Sequence, residues 1–95
     1  MRYFNELLIE IGKEIRAIRI SKNMTIYDLE HKSGVSNKQI SFIERGLSPF
    51  DFETLVNLLV GLEISLQQIV TPENTYIFQK MIKYKKELTD KETNN

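Results

Sequence analysis

Apolar side chains recur at Phe4, Leu7, Leu8, Ile11, Ile15 and Ile18, steps of three and four that place them on one face of a helix. The spacing predicts a first amphipathic helix over about residues 4–22. Gly12 sits inside it at a cost of about 1 kcal/mol against Ala, which close helix packing would explain. Lys22 and Asn23 suit the end: a cation meets the negative terminus, and Asn tolerates the left-handed conformation. Met24 leads into a second helix over 26–33, with Ile26 and Leu29 facing inward.

The stretch from Thr25 to Gly46 carries the most information. Thr25 caps the second helix, and Ser36 caps a third over 37–45. Gly34 falls between them, where a tight turn needs positive φ. Val35 is apolar within that turn and is expected to fill the core between the two helices. Ser36-Asn37-Lys38-Gln39 has the spacing of a capping box, with the Ser oxygen accepting and the Gln reaching back. Ile40 and Ile43 face inward, while the first turn shows small polar side chains.

Ser48-Pro49 is a loop signal. Asp51 caps a fourth helix over 52–62, carrying Phe52, Leu55, Val56, Leu58, Leu59 and Leu62. This helix is apolar over more than half its circumference and is expected to be the central buried one. Ser65-Leu66-Gln67-Gln68 is a second capping-box pattern and opens a short helix to about Val70. Thr71-Pro72-Glu73 starts a last helix over 72–88: a cap, a proline at the first helical position, and an acid at the positive end of the dipole. Residues 89–95 are polar, unpatterned and expected to be a disordered tail. No strand signal or internal repeat appears, so the fold class is all-α. Residues 1–71 form one domain, and 72–88 form an added amphipathic helix.

Composition narrows the chemistry. Ninety-five residues make one small domain. The chain has no cysteine and a single histidine, His31, which excludes disulfides, thiolate chemistry and a His-rich metal site. His31 reads as an exposed helix residue. No paired carboxylates, nucleophile–base set or phosphate loop appears, so neither an enzyme nor a cofactor or metal is expected. No apolar run approaches membrane length and no signal-peptide cleavage pattern opens the chain; a cytoplasmic protein is expected. Net charge is zero, with 13 basic and 13 acidic residues. Between Lys13 and Arg45, however, seven bases face four acids, Glu14, Asp28, Glu30 and Glu44. A charge dipole of this kind lets one face approach phosphates while the molecule stays neutral. The competing reading is ordinary solvated helix surface.

Several of these features occur together in register: the run IGKEIRAIRISKNMT, the turn DLEHKSGVS, the ending QISFIERG, the SP loop and TLVNLLVGLEISLQQIV. Together they resemble the lambda-repressor-like, XRE-type helix-turn-helix regulators, from Ile11 to Val70. The resemblance implies a five-helix bundle that binds duplex DNA, usually as a homodimer on an inverted repeat. It also implies an ion pair between Arg19 and Glu44, structural in role. Both residues lie among apolar neighbours, where a charge needs a partner. The chain departs from the family at Ile26, where a phosphate-contacting glutamine is common, at Glu30, where a small alanine is usual, and at Glu63, where Gly or Asn often ends a helix. For Glu30 this implies altered packing or a side chain bent out to solvent.

In such a unit the start of the second helix enters the major groove. The base-reading candidates are Asn37, Lys38, Gln39, Ser41 and Phe42. Asn pairs with adenine, Lys reaches guanine, and an apolar group meets a thymine methyl. For Phe42 two readings stand: contact with DNA, or a ring folded against its neighbours. The phosphate candidates are Thr25, Lys32, Ser36, Arg45 and Ser48, which position the domain without specifying sequence. The stripe Ile77, Phe78, Met81, Tyr84 and Leu88 either packs on Tyr3, Phe4, Leu7 and Leu8 or forms a homodimer interface, the latter favoured because palindromic sites call for a two-fold partner. The leading functional expectation is a repressor or restriction–modification controller. The alternative is a protein-interaction module, such as an antitoxin or adaptor.

Overall fold

The computed structural model describes residues 2–93. The described residues form five α-helices and one 3-10 turn: α1 (Arg2–Ser21), α2 (Ile26–Ser33), α3 (Asn37–Glu44), α4 (Phe52–Gly61), the turn Leu66–Ile69, and α5 (Pro72–Thr93). The all-α expectation holds. Four of the starts are capped as their sequence predicts. Thr25 Oγ1 accepts from the Asp28 N–H at 3.0 Å, Ser36 Oγ from Gln39 at 3.2 Å, Asp51 Oδ1 from Thr54 at 2.8 Å and Thr71 Oγ1 from Asn74 at 3.1 Å. Asp28 also returns a bond to the Thr25 N–H at 2.8 Å, completing a box legible as Thr-x-x-Asp.

Three helices end in the same motif, with the residue after the cap in the left-handed region. Asn23 (φ 57°), Gly46 (φ 70°) and Glu63 (φ 59°) occupy that position in α1, α3 and α4. Each is flanked by paired backbone bonds, such as Leu47 N–H to Phe42 O at 2.8 Å beside Gly46 N–H to Ile43 O at 3.1 Å. Glu63 therefore holds a conformation that strains a residue with a Cβ.

The core is built from α1 to α4 and the 3-10 turn. Ile15, Leu29, Ile40, Ile43, Leu58 and Leu62 are fully buried at its centre, and Val35 fills the turn as expected. Full burial of each large aliphatic contributes about 1.5–3 kcal/mol. Gly12 explains itself: a Cβ there would lie 2.1 Å from the Ile43 carbonyl oxygen, so α1 meets the backbone of α3 directly.

Two expectations need correction. α4 is not buried all round. Leu55, Leu58, Leu59 and Leu62 face the core, but Phe52, Val56 and Val60 are exposed. These three recur every four residues and form a row on the outer side that is left exposed among the described residues. The tail also departs from expectation, because α5 continues through residues 89–93. Lys and Glu are good helix formers without a buried stripe, and the Thr89 hydroxyl donates back to the Lys85 carbonyl at 3.0 Å. Asn94 and Asn95 lie outside the described residues.

α5 is anchored to α1 between Ile77 and Tyr84. Ile77 and Leu7 are buried, Lys80 Nζ meets Glu6 Oε1 at 3.0 Å, and Tyr3 and Tyr84 pack edge to face at 5.8 Å. Asn74 ties α5 to the 3-10 turn through Nδ2 to the Ile69 carbonyl.

Candidate nucleic-acid interface

The interface is organised by how α3 is held. On its underside, Ile40 and Ile43 enter the core. Beside them Arg19 and Glu44 are both buried and joined in a fork, Nε to Oε2 at 2.7 Å and Nη2 to Oε1 at 2.9 Å. The third nitrogen of Arg19, Nη1, donates to the Met24 carbonyl at 2.7 Å, so one side chain ties α1, the turn before α2 and the end of α3. Hydrogen bonding by Glu44 raises the Arg19 pKa above its ordinary value, against the opposing effect of burial. The expected pair is present and wholly internal. It contributes rigidity rather than ligand contact.

The outer surface carries the residues expected there. Lys38 and Gln39 are exposed, and Asn37, Ser41 and Phe42 are half-buried. The Ser36–Gln39 box is only half built. Ser36 caps Gln39, but no return bond from the Gln39 side chain occurs among the described residues, and the residue is exposed. Phe42 takes the second of its two readings, a ring set against its neighbours. Its ring is flanked by Lys38 Nζ at 5.8 Å and by the Arg45 guanidinium at 5.4 Å from the centroid, and stays half-exposed between them. Arg45 Nε also reaches the Ser41 carbonyl at 3.4 Å. The aromatic thus holds two cations beside the outer face of α3.

The phosphate candidates surround this face at several points. Thr25, Lys32, Ser36 and Arg45 are exposed, and Ser48 is half-buried. The Thr25 and Ser36 oxygens already accept capping bonds, which leaves each hydroxyl hydrogen available as a donor. Ile26 is packed against the core and makes no polar contact of the kind a glutamine there would.

Electrostatics follow from which charges are engaged. Three of the four acids in the Lys13–Arg45 window are spent internally: Glu44 on Arg19, Asp28 on the Thr25 cap, and Glu30 on Asn37. The Thr25 backbone N–H, and then its hydroxyl, hold the Asp28 carboxyl below the usual carboxylate range. Thr54 does the same for Asp51. Lys32, Lys38 and Arg45 meanwhile project from the surface.

Glu30 is the residue that sequence reasoning placed wrongly. It does not bend out to solvent. Oε2 accepts from the Asn37 backbone N–H at 2.8 Å and from Asn37 Nδ2 at 3.2 Å. No local pattern announces a bond between a mid-helix glutamate and the start of the next helix. On α5, Ile77 is buried within its own chain and is unavailable to a partner, and Met81 is half-buried; Phe78, Tyr84 and Leu88 are exposed, as is Ile82.

Two short helices joined by a Gly34 turn, the second held from beneath and presenting polar and basic side chains, define a helix-turn-helix protein. The sequence profile described as Helix-turn-helix matches residues 15–69, and the chain belongs to that family, one of DNA-binding regulators. Among solved structures the fold is similar to restriction–modification controller proteins. Wild-type C.Esp1396I shares 30% identity, with 81% of this chain and 95% of that chain covered and a TM-score of 0.64. The C.Esp1396I tetramer bound to its natural 35 base-pair operator matches at 32% identity, covering 81% of this chain and 91% of that one, with a TM-score of 0.61. C.AhdI from Aeromonas hydrophila, at 22% identity, covers 66% and 96% with a TM-score of 0.63 and shares the fold. No curated protein sequence matches.

Proposed function

We propose that this chain is a sequence-specific transcriptional regulator of the restriction–modification controller type, binding an inverted repeat in duplex DNA as a homodimer and performing no catalysis. The observation that carries this reading is the mounting of α3: its apolar face and the Arg19–Glu44 pair are buried, while Lys38, Gln39 and the Phe42–Arg45 cluster face outward. Asn37, Lys38, Gln39, Ser41 and Phe42 read bases, and Thr25, Lys32, Ser36, Arg45 and Ser48 meet phosphates. The operator complex of C.Esp1396I supports the same use of the fold here.

The second copy docks through exposed apolar residues on the outer side of α5, Phe78, Ile82, Tyr84 and Leu88, with Met81 at the edge; Ile77 serves its own core. Leu66 and Val70 on the 3-10 turn share a hollow with Phe78 and extend that surface. Apolar area of this kind on a small chain marks an interaction site. No helix among the described residues is long and apolar enough to cross a membrane, which is compatible with action in the cytoplasm.

Selection of bound sequences from a random duplex library tests the reading. The expected product is an inverted repeat, and its enrichment is abolished by combining Asn37→Ala with Lys38→Ala. A protein that enriches no DNA, yet remains folded and dimeric, is instead an interaction module of the antitoxin or adaptor kind. The apolar outer row of α4 would then be its contact surface.

A further inference from the structure

Most of α3 is held from below, but its first residue is held from the side. Asn37 is one of the helix-start residues whose N–H has no intrahelical partner. The Ser36 hydroxyl serves Gln39, and the Glu30 carboxylate, one helix back, serves Asn37. The same oxygen that accepts the backbone N–H also accepts Nδ2 of the side chain. The two bonds are part-buried, and they link the residue facing the groove to a residue that does not face it.

We infer that Glu30 is a positioning residue for base recognition: it fixes which way round the Asn37 amide is presented. The inference rests on the proposed reading of α3 as the DNA-reading helix. An asparagine amide has a donor end and an acceptor end of nearly the same shape, and its terminal torsion is broad and roughly two-fold. A free Asn offers either end. A carboxylate only accepts, so it binds the NH2 end and repels the carbonyl end. Beside Glu30, Oδ1 is turned away, and one of the two Nδ2 hydrogens remains unclaimed. The amide then presents a fixed acceptor and one donor. That pair matches the exocyclic amino group and N7 of adenine and mismatches guanine, which offers two acceptors. A glutamine at position 30 weakens the constraint without removing it, because its oxygen still accepts the Asn37 backbone N–H and Nδ2 but carries no charge. An alanine removes the partner altogether.

The test compares wild type, Glu30→Gln, Glu30→Ala and Asn37→Ala by selection from a random-sequence duplex library. Wild type is expected to show one base-pair position whose preference Asn37→Ala erases. Glu30→Ala is expected to lose preference at that same position, by roughly five- to 150-fold in discrimination, and Glu30→Gln to lose less, with the other positions unchanged in both. A residue that merely supports folding would weaken binding evenly across the site, and that even loss overturns the inference. So does an unchanged profile. If wild type enriches no sequence, the proposed function and the role of Glu30 fall together. If wild type enriches an operator that the Glu30 variants read identically, only this inference falls. Amide hydrogen exchange of the unmodified protein supplies a readout that needs no variant to fold. The Asn37 backbone N–H is expected to exchange about tenfold more slowly than that of Lys38, since a bond to a charged acceptor protects it. Equal rates would contradict the contact itself.

Discussion

The underside of α3 and the outer side of α4 and α5 are built from similar residues in opposite ways. Beneath α3 everything is paired. Ile40 and Ile43 are fully buried, Arg19 and Glu44 satisfy each other, and Gly12 lets the α1 and α3 backbones touch. On the outer side a row of apolar side chains is left open. Phe52, Val56 and Val60 on α4, and Phe78 and Ile82 on α5, are exposed. One region is finished within a single chain, whereas the other is left exposed, and it is the face proposed to meet a second copy. On the proposed reading the difference separates two tasks: presenting α3 rigidly needs only this chain, and placing two copies of α3 on one operator needs the second face.

The largest expected effect lies in the finished region. Arg19→Met strands a buried carboxylate and should cost about 3–5 kcal/mol in denaturant unfolding. Adding Glu44→Leu removes the stranded charge and should recover most of that loss. A loss under about 1 kcal/mol for Arg19→Met would mean that the pair is not buried in solution. Gly12→Ala should follow at about 1–3 kcal/mol despite its better helix propensity, because the methyl group meets a carbonyl oxygen.

The unfinished region should respond differently. Phe78→Asp should leave the melting temperature of the monomer nearly unchanged, while the dimer dissociation constant in sedimentation rises at least about tenfold. If the variant unfolds instead, or dimerises as before, the contrast between the regions is lost. Glu63→Gly should stabilise by about 0.5–1 kcal/mol, since glycine adopts the left-handed conformation without the strain of a Cβ. The smallest effect concerns pH. Asp28 and Asp51 are held below the usual carboxylate range by capping bonds, so their contribution is present above about pH 4 and lost as pH falls further. Asp28→Asn should lower the melting temperature at neutral pH and flatten its fall in acid.

What was legible in the sequence was decided by neighbours within a few positions. Thr25, Ser36, Asp51 and Thr71 each cap a residue three places on, and Asn23 takes the left-handed position that its type favours. The Arg19–Glu44 pair spans 25 residues, yet it followed because two charges among apolar neighbours need each other and because the family resemblance placed them. The rest depended on what lies across a gap. Val56 and Val60 look like core residues in any pattern, because an apolar side chain does not reveal whether its own chain or another covers it. Glu30 and Gln39 exchanged their expected roles for the same reason. A long polar side chain goes where a tertiary partner waits, and Asn37 lay within reach of Glu30. The end of α5 was set too early because it lacks an apolar stripe, although nothing in its residues stops a helix before Thr93.

On the proposed function, the outer face of α3 engages DNA. Salt dependence measures it. On an operator obtained by selection, log affinity should fall linearly with log salt, and Lys38→Ala should either shallow that slope by about one unit, if it meets a phosphate, or relax a single base position by about 1–3 kcal/mol, if it reads a base. An affinity, slope and base preference all unchanged by Lys38→Ala would contradict the placement of α3 in the groove.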